Sequence, residues 1–290
     1  MNYRHHYHAG NYADVFKHAL LVPLIRGLQR KEKGFLYLDT HAGRGGYDLS
    51  VPAVLPDGRT REPEHPAGIG RLWTGLPPDS PLQEYLGLVR RFNERRGETG
   101  GELRHYPGSP WIARMLLRPQ DRMMLCELRP DDAEALALAF AREPRVIVQP
   151  LDGYTALKAA LPPPEKRALV LIDPPFESKL EFDAILRGLA EAMRRLPGAV
   201  CAIWYPVTER ARTDAFLHEL TAQPLPPTLL VELNIAGDGA QLRMKGCGLL
   251  ILNPPWQIEP EIRKLLPVLR ERLAVDAGAA VRCEWLVPEK

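Results

Sequence analysis

Cysteine is scarce in this 290-residue chain: Cys126, Cys201, Cys247 and Cys283 stand far apart, and no CxxC pair occurs. That spacing argues against both a disulfide framework and a thiolate zinc site. The first three lie in apolar, strand-like runs, where a free thiol behaves as a small hydrophobe. Reduced core cysteines in a cytoplasmic protein are therefore expected. No apolar run approaches the ~20 residues of a membrane span, and the opening MNYRHHYHAG lacks the apolar core of a secretion signal. An excess of one charge is also missing. With 38 Lys and Arg against 36 Asp and Glu the formal net charge is +2, so a nucleic-acid partner would have to be read from local charge distribution. There is no internal repeat and no low-complexity tract.

What is present is an ordinary globular balance, 45% hydrophobic and 26% charged, long enough to bury a large core without staples. From Gly34 onward, short apolar runs alternate with helix-length amphipathic ones. The candidate strands are GFLYLD (34–39), RMMLCE (122–127), RVIVQ (145–149), ALVLID (168–173) and AVCAIWY (199–205). Helical patterns occupy 130–142 and 181–196. Near-continuous apolar strands between amphipathic helices predict a parallel sheet covered on both faces, with ligands at the carboxyl ends of its strands. Two segments break the alternation. Residues 50–107, rich in Pro, Gly and charge, read as an inserted subdomain with one helix near 81–96, which leaves 1–49 and 108–290 as the main domain. TLLVELNI (228–235) and GCGLLILN (246–253), joined by a Gly-rich segment, predict an antiparallel pair at the sheet edge. The expected fold is Rossmann-like α/β, of the class I methyltransferase type.

The strand ALVLID runs directly into Asp173-Pro174-Pro175-Phe176. Pro-Pro makes a stiff turn without N–H donors, which leaves carbonyls free to face a site. Asp173 and the Pro174 carbonyl could accept the two hydrogens of an adenine N6 amine while Phe176 stacks on the base. Such alignment lowers a barrier through positioning. The alternative is a proline turn with a solvated Asp. The first strand ends in LDTHAGRGG, where Gly43 lets the backbone turn tightly beside a nucleotide-like ligand. It is not GxGxxG, and Asp39 would repel a pyrophosphate but suits a cation such as the sulfonium of S-adenosyl-L-methionine. Glu127, at the end of the second strand, is placed to bind ribose hydroxyls, although the usual ~20-residue spacing is stretched by the insertion. Asp152-Gly153 follows the third strand, where the cofactor adenine would lie; Asp-Gly is also a common turn pair.

Taken together, YRHHYHAGNYADVFKH, LDTHAGRGGYDL, YPGSPWIA, CEL, PLDGY and LIDPPFE resemble the bacterial 23S ribosomal RNA adenine-N6 methyltransferase J family. The motifs run from residue 3 to residue 177 in the family's order. The resemblance implies S-adenosyl-L-methionine contacts at His18, His41, Ser109, Glu127, Asp152 and Gly153, with Asp173 catalytic and also at the cofactor. It implies that Lys17 and Tyr3 lie near the active site, Tyr3 facing the RNA. The implied partner is 23S ribosomal RNA; from the residues themselves no membrane and no metal are expected, and a monomer is the expectation with other oligomeric states left open. Tyr7 and Tyr12 depart from the family pattern, and the insertion is too variable to match. A DNA adenine-N6 methyltransferase and a non-catalytic RNA-binding scaffold are the alternatives.

Three further features have competing explanations. His5, His6 and His8 form a dense HHxH, but no Cys or carboxylate cluster accompanies it, so an RNA-facing segment is preferred to a metal site. Arg90, Arg91, Arg95 and Arg96 gather on the insertion helix, as a solvated face or as an RNA clamp, with Glu94 and Glu98 diluting them. Asn253-Pro254-Pro255-Trp256 is a second amine-methylation-like motif, expected on the far side of the sheet from the glycine loop.

Overall fold

The computed structural model describes residues 7–54, 60–237 and 239–289. The chain enters through helix α1 (Tyr12–Gln29) and strand β1 (Leu36–Asp39). There follow β2 (Gly46–Asp48), β3 (Ala53–Val54), β4 (Thr60–Arg61), α2 (Ile69–Trp73), α3 (Gln83–Arg95) and β5 (His105–Pro107). The alternating part then runs α4 (Ser109–Leu116), β6 (Arg122–Cys126), α5 (Pro130–Phe140), β7 (Val146–Gln149), α6 (Gly153–Ala160), β8 (Ala168–Ile172), α7 (Glu181–Arg195) and β9 (Val200–Val207). It closes with α8 (Arg210–Thr221), β10 (Thr228–Asn234), β11 (Gly246–Leu252), α9 (Ile258–Leu273) and β12 (Ala280–Val287).

Eight strands form one sheet in the order β12-β10-β11-β9-β8-β1-β6-β7. The pairs β7–β6, β6–β1, β1–β8 and β8–β9 are parallel, whereas β9–β11, β11–β10 and β10–β12 are antiparallel. Only β11 and β12 therefore run against the rest. The expected antiparallel pair is present as β10 and β11, but it is not the edge. β12 closes the sheet beyond β10, a strand whose mixed sequence AVRCEWLV leaves it half-buried. The inserted residues pair among themselves and with the glycine loop: β2 lies antiparallel to β5, and β3 to β4.

Side chains alternate between the faces of each strand, so one run of residues feeds two cores. Phe35, Tyr37, Leu169 and Leu171 pack with α1, α3, α4, α5 and α9. Leu36, Leu38, Val170 and Ile172 pack with α6, α7 and α8. Every residue of β1 and β8 is buried, which is why they read as unbroken apolar runs. Leu82, Tyr85, Leu86, Leu88 and Val89, from the inserted stretch, join the same core as α1.

After β1 the chain moves outward to β6 and β7, then returns to place β8 on the other side of β1. Ligands of doubly wound sheets bind where the strand order reverses, at the carboxyl ends. Here that point lies between Asp39 and Asp173.

Candidate functional site

Helix α1 brings the first functional groups to this reversal point. Its start is fixed by Asn11, whose side chain accepts from the Ala13 and Asp14 N–H groups, both at 3.0 Å. Capping of this kind satisfies orphan donors of the first turn. Asp14, Lys17 and His18, at i, i+3 and i+4, then share one face. Lys17 is 5% exposed, and its ammonium donates to Asp14 Oδ1 at 3.0 Å and to Asp173 Oδ2. Burial alone would push the Lys17 pKa down, but the two carboxylates outweigh it and hold it well above the ordinary lysine range. Asp173 Oδ1 has no hydrogen-bond partner among the described residues. Asp14 Oδ2 accepts from the Gly10 N–H at 3.0 Å, and His18 Nδ1 meets the Tyr106 hydroxyl at 2.8 Å.

Asp39 is fully buried at the end of β1. Its Oδ2 accepts from the Ser109 hydroxyl at 2.7 Å and from the Tyr37 hydroxyl at 3.0 Å. Ser109 opens α4, so this carboxylate ties that helix to the strand. Burial, with the Asp173 charge, pushes Asp39 up to about 6, against the hydrogen bonds from Ser109 and Tyr37 and the Lys17 charge. His41 packs edge-on to Tyr154 at 5.4 Å between ring centres. Burial lowers its imidazole to about 4 although Asp173 and Asp152 pull the other way, so the ring is neutral near pH 7.

Gly43 has φ +59°, the left-handed region that suits glycine, and a Cβ there would lie 2.6 Å from the Tyr47 hydroxyl oxygen. Its N–H donates to Glu127 Oε2 at 2.8 Å, while Glu127 Oε1 accepts from the Arg129 N–H at 2.8 Å. Glu127 thus latches the glycine loop to β6, and burial chiefly raises its pKa. Asp152 caps α6 through the Thr155 N–H and hydroxyl, both at 2.8 Å. Gly153 is buried with Thr40 O only 2.1 Å from where a Cβ would stand; glycine alone permits that approach between α6 and β1.

The structure therefore gathers Lys17, Asp39, His41, Gly43, Ser109, Glu127, Asp152, Gly153 and Asp173 at the carboxyl ends of β1, β6, β7 and β8, with His18 next to Lys17 on α1. Pro174 is buried, and Phe176, at φ +49°, is half-buried edge-on against Phe182 and Trp204 at 5.2 and 5.8 Å. Tyr3, His5 and His6 lie outside the described residues. The second motif falls elsewhere: because β11 is reversed, Leu252 pairs with Cys201 near the start of β9. Asn253 there donates to the carbonyls of Pro197 and Ala199 at 2.8 and 2.9 Å, a loop-fastening role at the opposite end of the sheet.

A family model described as ribosomal RNA large subunit methyltransferase D, RlmJ, matches residues 32–287. The chain belongs to the RlmJ family. Among its relatives, ribosomal RNA large subunit methyltransferase J of Escherichia coli (strain K12) is 39% identical over 289 residues, and its namesake in Haemophilus influenzae (strain ATCC 51907 / DSM 11121 / KW20 / Rd) is 40% identical over 291. Both alignments cover 100% of this chain and of the relative. A crystal structure of a protein from Legionella pneumophila str. Philadelphia 1 is 35% identical, with TM-score 0.84, covering 96% of this chain and 98% of that one.

In this RlmJ-family chain, several site-building groups were not singled out from sequence. Asp14 carries a legible signal, its i, i+3 spacing from Lys17. Tyr37, Thr40 and Tyr106 carry none, because each reads as part of an apolar strand or turn until the fold sets it beside Asp39, Gly153 or His18.

Proposed function

We propose that the protein transfers a methyl group from S-adenosyl-L-methionine to the N6 amine of an adenine in 23S ribosomal RNA. The observation that carries this reading is the Lys17–Asp173 pair at the strand-order reversal, beside the three carboxylates Asp39, Glu127 and Asp152. The chemistry of that set fits the cofactor. Carboxylates suit its sulfonium, ammonium and ribose hydroxyls, and Gly43, at φ +59°, turns the backbone tightly beside them. Glu127 would bind the ribose, Asp152 and Gly153 the adenine, and His18, His41 and Ser109 would line the methionine side. Bound S-adenosyl-L-methionine supplies an electrophilic methyl on sulfur.

The chain's own residues orient the nucleophile. Lys17 occupies one oxygen of Asp173 and leaves Oδ1 to accept a hydrogen of the target amine. With the Pro174 carbonyl as second acceptor, the nitrogen lone pair is directed outward. His41, neutral near pH 7, adds no positive charge to the site. Phe176 offers a ring face to an adenine that has left its stack, since N6 within a duplex is out of reach. Both relatives are ribosomal RNA methyltransferases by name, which favours RNA over DNA. The test is incubation with labelled S-adenosyl-L-methionine and 23S RNA, 16S RNA or DNA, followed by nucleoside analysis. N6-methyladenosine from 23S RNA supports the proposal; label only in DNA, or in another base, overturns it.

A further inference from the structure

The insertion helix carries charge that the catalytic cluster does not use. Arg91, Arg95 and Arg96 are exposed at the end of α3, and none lies in an ion pair among the described residues. Their situation differs from that of arginines elsewhere on the surface. Arg194 and Arg195 share Glu191 on α7 at 2.7 and 2.5 Å, and Arg263 pairs with Glu259 on α9 at 2.7 Å. Just beyond α3, Glu98 is turned instead to Arg104 and His105, each at 3.5 Å.

Two of these guanidinium groups lie over aromatic rings. Arg95 lies 6.0 Å from the Trp111 ring centre and Arg96 5.2 Å from that of Phe92. A guanidinium placed over a ring is partly restrained and loses less freedom when it meets a phosphate. The helix is also fastened to the candidate site. Buried Asn93 donates to His105 O at 2.7 Å and accepts from the N–H groups of Arg104 and His105 at 3.0 and 2.7 Å. That strand, β5, pairs with β2, which continues directly from the glycine loop. A Cβ on Gly46 would sit 3.6 Å from an Arg96 nitrogen, so the charges stand at the lip of that loop.

We propose that Arg91, Arg95 and Arg96 form a docking surface for the phosphate backbone of RNA flanking the target adenine. This rests on the reading of RNA as substrate and assigns the insertion its part in it. Backbone neutralisation makes affinity fall with salt, by close to one unit of logarithmic slope per phosphate contact.

The experiment measures the Kd of a fluorescent 23S RNA transcript for the full chain across salt concentrations. The proteins compared are wild type, the Arg91→Gln/Arg95→Gln/Arg96→Gln triple variant, its all-Lys counterpart and Arg194→Gln. Expected for the Gln triple variant is a Kd weaker by roughly tenfold or more at moderate salt and a slope lower by roughly two to three. Its S-adenosyl-L-methionine affinity and its kcat at saturating RNA should be unchanged. The Lys counterpart keeps the charges and should keep most of the slope, which separates charge from packing; Arg194→Gln should match wild type. A wild type that binds RNA with a steep slope, and a Gln triple variant that retains both slope and Kd, would overturn the surface while leaving the substrate in place. Wild type without salt-dependent RNA affinity would overturn both.

Discussion

Lys17 of α1 and Asp173 at the end of β8, 156 residues apart, form a nearly buried ion pair across the point where the strand order reverses. Asp14 holds the other side of the same ammonium. Removing one member of such a group leaves uncompensated charge in a low-dielectric site, a cost of about 3–5 kcal/mol. Lys17→Met, which strands two carboxylates, should therefore lower stability by several kcal/mol and turnover with it. Chemical denaturation alongside single-turnover rates checks this, and a variant as stable as wild type would show that the pair is not held as described.

Glu127→Gln preserves an acceptor for the Gly43 N–H but removes the charge. Hydrogen bonds to a charged group contribute about 1.5–3 kcal/mol, so S-adenosyl-L-methionine should bind roughly tenfold or more weakly. Its kcat at saturating cofactor should change little. Calorimetry showing unaltered affinity would make Glu127 a loop latch alone.

His41 and Asp39 titrate with opposite effects on stability. The His41 pKa is lowered from 6.5 to about 4. The unfolded chain thus binds its proton first, and this contribution is lost as pH falls from 6.5 towards 4. Asp39 is raised from 3.8 to about 6, so its contribution is present below about 4 and lost as pH rises through 6. The two slopes oppose each other across that window. His41→Gln removes the first of them, and its stability relative to wild type should increase towards acid by on the order of 2–3 kcal/mol. Denaturation midpoints between pH 4 and 7 measure it, and a constant difference would contradict the assignment.

Gly153→Ala should be severe for so small a change. Its Cβ would stand 2.1 Å from Thr40 O and 2.6 Å from Thr40 Cβ, both in well-packed surroundings, where overpacking typically costs about 1–3 kcal/mol. Both stability and cofactor affinity should drop. If neither moved, α6 would not be set by contact with β1.

Much of this is legible in the sequence. ALVLID and GFLYLD are apolar up to their final Asp because their strands are buried on both faces, which puts Asp173 and Asp39 at strand ends; that the two ends are neighbours is set by the sheet order. Asp152-Gly153 was legible as a turn, though not the close approach to Thr40 that requires the glycine. β12 is not among the expected strands, although Val281, Cys283 and Trp285, which pack on the core, alternate with Arg282 and Glu284 as in a strand with one face covered. The helix α1 escaped notice because, buried on nearly every side, it shows no polar stripe. The Asp14–Lys17–Asp173 arrangement joins two segments whose proximity depends on that helix, and no local pattern records it.

Asp173 orients the amine in this mechanism, while S-adenosyl-L-methionine is held chiefly by Glu127, Asp152 and Gly153. The most direct measurement pairs single-turnover methylation of 23S RNA with calorimetric S-adenosyl-L-methionine binding for wild type and Asp173→Ala. The account expects N6-methyladenosine formation to slow by on the order of 10²-fold or more while cofactor affinity stays within a few-fold of wild type. A variant that methylates at nearly the normal rate would contradict it.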